Sequence, residues 1–246
     1  MDPAPHRSPF SRKFSPFWSI PPNPAITLER ETPMRPTLWS VALVFLLSVS
    51  LHNAYADLGC PPAIKSTPGN FPLDYNDPDN KGHILYLVEM RHFTPAVESL
   101  QHGSTGPIGG DLSYALNAFP NHPRALNAMA RLAEKDHSQQ PQGAEYSIEC
   151  YFHRAMDFAP TDPIPPMLYA IYLANQGKDQ DALQNYQLSE KIEPDNPNLQ
   201  YNMGLLYFKL KEYDKSLDYA HKAYDGGFPL PGLRQKLQKA GVWKNE

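Results

Sequence analysis

The chain has little of what usually announces chemistry. Two cysteines among 246 residues allow at most one disulfide. Charge of one sign does not dominate: 22 Lys+Arg face 26 Asp+Glu, a net charge of −4, which excludes the basic footprint of a nucleic-acid or anionic membrane-surface protein. No P-loop, G-x-S-x-G, H-E-x-x-H or dinucleotide fingerprint occurs. The glycine-rich stretch Gly106 to Gly110 lacks the lysine of a phosphate loop. No segment alternates as a strand would, which excludes a β architecture. No apolar run reaches the roughly 20 residues that a bilayer-spanning helix needs.

Proline, by contrast, is plentiful, with 27 in the chain. Many lie before Met34, where few apolar residues could build a core, so residues 1–33 read as disordered or as lying outside the native protein, with the start at Met34. From Met34 a secretory signal peptide is predicted over 34–56. Arg35 supplies the positive start, 38–51 the apolar core, and Ala54-Tyr55-Ala56 the cleavage site. An uncleaved anchor and a lipoprotein at Cys60 are the alternatives. Asp57 stands where a lipoprotein site has an apolar residue. The expected location is periplasmic or secreted, with the membrane touched only through the signal peptide. In such a compartment Cys60 and Cys150 are candidates for one disulfide, the alternative being two free thiols.

Residues 57–81 read as an extended Pro/Gly-rich segment whose Phe71, Leu73 and Tyr75 could dock on a neighbour. Short helices follow over 82–122. Thr94 is expected to cap one running to about Gln101, and Asp111 to cap another. Beyond Pro120 the chain repeats itself. Pro163 and Pro197, Ala170 and Gly204, Leu173 and Tyr207, and Ala182 and Ser216 are each 34 residues apart. Ile148, Phe152, Ala155 and Pro160 stand 34 before Ala182, Tyr186, Ser189 and Pro194. Helices are predicted over 123–135, 143–158, 163–175, 179–192, 197–209 and 213–225, with a last one over about 230–240. A period of this length with small and apolar residues in phase signals an all-α helical array.

Tyr169-Ala170-x2-Leu173 with Ala182-x3-Tyr186 and Pro194, and Met203-Gly204-x2-Tyr207, resemble the tetratricopeptide repeat. The resemblance covers 123–228 strongly and 89–122 as a degenerate repeat. It implies an α-solenoid of three to four helix-turn-helix units. Residues 229–246 are expected to form a C-terminal capping helix, with Leu233 and Leu237 inward and Trp243 sealing its end. In such arrays the first helix of each pair lines a concave groove. Here that implies Arg124, Asn127 and Arg131, then Met167, Ile171 and Asn175, then Tyr201, Leu205 and Phe208. Arg124 and Arg131 would meet acidic groups of a partner. The alternative is that some apolar members pack on the C-terminal helix or the N-terminal segment. Asn202 and Lys209 are reminiscent of the family's carboxylate clamp, which Met167 and Ile171 leave incomplete.

The resemblance implies a non-enzymatic scaffold that binds another protein, without cofactor or catalytic residue, in the cell envelope of a bacterium. The alternative is an accessory ligand- or metal-binding secreted protein that uses Cys150, His153 and nearby histidines. Neither reading fixes a partner or an oligomeric state.

Overall fold

A computed structural model describes residues 59–64, 70–80 and 82–244. The expected start at Met34, the 34–56 signal peptide and its Ala54–Ala56 site lie outside these residues. Ten α-helices and no strand occur among the described residues. They are α1 (His83–His92), α2 (Pro95–Glu98), α3 (Ile108–Ala118), α4 (Pro123–Lys135), α5 (Ile148–Phe158), α6 (Ile164–Asn175), α7 (Asp179–Ile192), α8 (Pro197–Lys209), α9 (Tyr213–Asp225) and α10 (Gly232–Lys239).

Three successive hairpins, α4–α5, α6–α7 and α8–α9, form the array, with α10 packed on α8 and α9. Proline stands in the first turn of each first helix, where its missing N–H costs nothing. Each first helix also ends the same way. The backbone turns left-handed at His137, Gly177 and Lys211, with φ of 49°, 76° and 62°. The next residue then donates back into the helix: Ser138 N–H to Ala133 O at 3.0 Å, Lys178 to Leu173 at 2.9 Å, and Glu212 to Tyr207 at 2.9 Å. These are Schellman closures, which satisfy carbonyls that the helix leaves orphaned. The repeat is therefore written in the backbone as well as in the side chains.

Small phased residues sit where helices touch. Ala170, Ala182 and Ser216 are fully buried, and Ser216 Oγ donates to the Gly204 carbonyl at 2.8 Å. A Cβ on Gly204 would stand 2.5 Å from Leu233 Cδ2, so the approach of α10 requires glycine there. Leu233 and Leu237 are fully buried, and Trp243 stacks on His221 with centroids 4.4 Å apart.

Three details differ from expectation. The α2 helix is one turn long, because Leu100 takes φ 57° and its N–H returns to Val97 O at 3.0 Å. Asp111 does not cap α3. The helix begins at Ile108, and the Asp111 carboxylate instead gathers the preceding loop by accepting from Ser104 N–H at 2.7 Å and Thr105 N–H at 3.1 Å. The α5 helix starts at Ile148 rather than 143, since Ser147 caps it by accepting from Cys150 N–H at 3.3 Å.

The N-terminal segment is fastened to this frame. Cys60 and Cys150 form a disulfide with Cα atoms 5.5 Å apart. Arg154 donates to the Pro61 carbonyl. Leu73 is buried and donates its N–H to Ala118 O at 2.8 Å, and the Tyr75 ring lies 4.6 Å from that of His122.

Candidate partner-binding groove

The first helices α4, α6 and α8 carry the residues that the repeat phase assigns to a groove. On α4, Asn127 is exposed. Arg124 does not wait for a partner's acid. Its guanidinium donates to Glu98 at 2.8 Å through Nε, reaches Glu89 at 3.4 Å, and lies 5.1 Å over the Phe93 ring. Bonding to Arg124 holds the Glu98 carboxyl below its ordinary range, and the same bond raises the Arg124 guanidinium. Arg131 reaches the Glu98 carbonyl at 3.4 Å. Both arginines thus fasten α2 to α4, because α2 packs against this end of the groove and carries the acid itself.

On α6, Met167 is buried in the main core, and Ile171 is half-buried against it. Asn175 Nδ2 donates to Glu134 Oε1 at 3.0 Å, tying α6 to α4. On α8, Tyr201 is 9% exposed, stacks on Phe228 with centroids 4.1 Å apart, and lies against Gly232. Phe208 packs with Tyr213 at 5.4 Å, with Lys236 Nζ 5.8 Å from its ring. Those two aromatics belong to the small core under α10 rather than to an open groove, since the capping helix occupies the face they would offer. The clamp-like pair is also spent. Asn202 Nδ2 donates to Asn198 O at 2.8 Å. Lys209 Nζ meets Ala174 O at 2.8 Å and Asp179 Oδ1 at 2.6 Å.

What remains open is a cleft of about 290 Å³ between α6 and α8. Ile171, Asn175, Asn202 and Leu205 of the expected set line it, with Lys209; Leu205 is half-buried and also packs against the small core under α10. Tyr186 of α7, a member of the repeat motif, also lines it. Its ring is 2% exposed, and burial pushes its phenol well above the ordinary value. The tyrosine's place in the repeat pattern gives its packing role, but nothing in the sequence signals that it borders a cleft.

The metal-binding alternative loses its thiolate. Cys150 is bonded to Cys60, and a disulfide sulfur cannot ligate as a thiolate. His153 lies 3.7 Å from Glu149 one helical turn away. Among the described residues no three His, Cys, Asp or Glu side chains converge as a metal site requires.

No curated protein matches the chain. Residues 173–211, running from the end of α6 through α8, match the family model described as TPR repeat. The chain thus carries a tetratricopeptide repeat over these residues, and the 34-residue phase with the recurring helix closures makes the rest of the array from α4 to α9 similar to it.

Proposed function

We propose that this chain is a non-enzymatic scaffold of the bacterial cell envelope that holds an extended segment of another protein between α6 and α8. Tetratricopeptide repeats present a surface for other proteins, and here the carrying observation is the cleft lined by Ile171, Asn175, Asn202 and Leu205. Its walls are aliphatic and its rim is amide, the composition that suits a peptide with a polar backbone and a small side chain.

An exported location is supported by two observations. The Ala54-Tyr55-Ala56 pattern follows an apolar core. The Cys60–Cys150 bond is of a kind that persists in oxidising compartments.

The test is crosslinked capture of the tagged full chain from envelope, beside Leu205→Glu and Tyr201→Ala. A groove binder loses its partner with Leu205→Glu while far-UV circular dichroism is unchanged. Tyr201→Ala acts through stability instead. A partner retained by Leu205→Glu moves the interface off the cleft. Intact mass of the exported chain under non-reducing conditions reports cleavage after Ala56.

A further inference from the structure

The Tyr186 hydroxyl makes no hydrogen bond with any described residue, and the residue is only 2% exposed. Tyr151 spends its hydroxyl on Ser113, Tyr172 on Gln139 at 3.3 Å, and Tyr219 on Glu190 at 2.8 Å, whereas Tyr207, 5% exposed, does not hydrogen-bond through its own. The hydroxyl is not sealed from solvent, so an occupant that excludes water from it must replace the hydrogen bond that water makes there. The open volume against Tyr186 is the α6–α8 cleft.

We propose that this cleft selects a partner segment bearing an uncharged, hydrogen-bonding side chain, glutamine or asparagine, whose amide pairs with the Tyr186 hydroxyl. This rests on the groove reading above. Three observations narrow the occupant to that chemistry.

An aliphatic side chain would seal the cleft and leave the hydroxyl stranded, which costs more than leaving the site open to solvent. A carboxylate would find the lining cation already taken, because Lys209 is bound by Asp179 and the Ala174 carbonyl. An ammonium would shed its water against Ile171 and Leu205 with no unshared acid on the lining. An amide carries no charge to desolvate and can either donate to a phenol oxygen or accept its proton.

The rim is arranged for the backbone of the same segment. Asn175 and Asn202 each spend their NH2 group within the chain, on Glu134 and on the Asn198 carbonyl. Their Oδ1 atoms are thereby the acceptors left for incoming peptide N–H groups. A volume of about 290 Å³ lies at the small end for ligand pockets. It suits one side chain with a short stretch of extended backbone and is too small for a helix.

The probe is a pool set of acetylated, amidated nonapeptides, randomised except for a central Gln, Asn, Leu, Glu or Lys, with affinity for the full chain read by fluorescence polarisation. Gln- or Asn-centred pools are expected to bind about tenfold more tightly than Leu-centred pools, equivalent to about 1.4 kcal/mol. Tyr186→Phe keeps the ring and removes the hydroxyl. It should shrink that ratio to about twofold or less without changing helicity. Leu205→Glu should abolish binding of every pool.

A preference for Leu, Glu or Lys overturns the inference, as does a Gln preference that survives Tyr186→Phe or the absence of binding by any pool. If either of the first two results comes with binding lost in Leu205→Glu, the groove reading stands and only the selectivity falls. Pools that bind Leu205→Glu and the parent alike remove the groove reading itself.

Discussion

The imidazole of His122 bridges two helices: Nδ1 accepts from Ala125 N–H at 3.3 Å, and Nε2 lies 3.1 Å from Glu89 Oε1. The first contact caps α4, and the second reaches α1. Because Nδ1 accepts, the ring is neutral with its proton on Nε2, donated to Glu89.

That tautomer predicts a pH dependence. Burial holds the imidazole below its ordinary 6.5, against the opposing pull of Glu89 and with Arg124 adding to the depression. A depressed histidine means that the unfolded chain binds more protons as pH falls, so stability rises with pH. The contribution is fully present above 6.5 and is lost as pH drops through the folded value. Glu98, which also faces this ring, has its own value below 4.5 and acts only at lower pH. Between about pH 7.5 and 5.5 the urea midpoint of the parent should fall further than that of His122→Asn, whose amide still caps α4. Parallel declines would remove His122 as the cause.

The Cys60–Cys150 bond closes a loop of 90 residues. Its loss should cost about 2–4 kcal/mol, chiefly by freeing the unfolded chain. Cys60→Ser/Cys150→Ser and the reduced parent should share one guanidinium midpoint, below that of the oxidised parent. Identical oxidised and reduced midpoints would show that the Arg154, Leu73 and Tyr75 contacts hold the N-terminal segment without the bond.

Lys211 and Gly177 occupy one repeat position with left-handed backbone, at φ 62° and 76°. The lysine carries a Cβ where glycine is unstrained. Lys211→Gly should gain about 0.5–1 kcal/mol, and Gly177→Ala should lose about 1 kcal/mol. Thermal denaturation of the pair checks the sign: a loss with Lys211→Gly would mean that glycine's extra freedom in the unfolded chain outweighs the strain.

Gly204 and Leu233 define how closely the cap can approach. A methyl at 204 would fall 2.5 Å from a Leu233 methyl that has no exposed volume to move into. Gly204→Ala should cost about 1–3 kcal/mol, and amides of α10 should exchange faster than those of α6. Unchanged α10 protection would mean that the cap accommodates the methyl.

Much of this was open to sequence reasoning because repeat arrays make local rules recur. A proline in the first turn, a small residue where helices touch and a large one between them appear at fixed spacing, so α4, α7, α8 and α9 could be placed from residue pattern alone. The start of α5 was misplaced because the loop before it is longer than its counterparts, and the cap at Ser147 resembles any other loop serine. Asp111 departs from the expected cap for the opposite reason. An aspartate ahead of apolar residues looks like a cap, but a helix that starts three residues earlier frees its carboxylate to hold a loop.

The groove residues divide along the same line. Sequence by itself determined which helix face Arg124, Tyr201, Phe208 and Leu205 occupy, because phase in a 34-residue period sets direction from the helix axis. What covers each face depends on contacts between parts of the chain far apart in sequence, and no local pattern encodes them. Glu98 on α2 claims Arg124, α10 covers Tyr201 and Phe208, and Asp179 claims Lys209. Only the tertiary structure decided that Ile171, Asn175, Asn202 and Leu205 line a cleft, and that Tyr186 of α7 borders it.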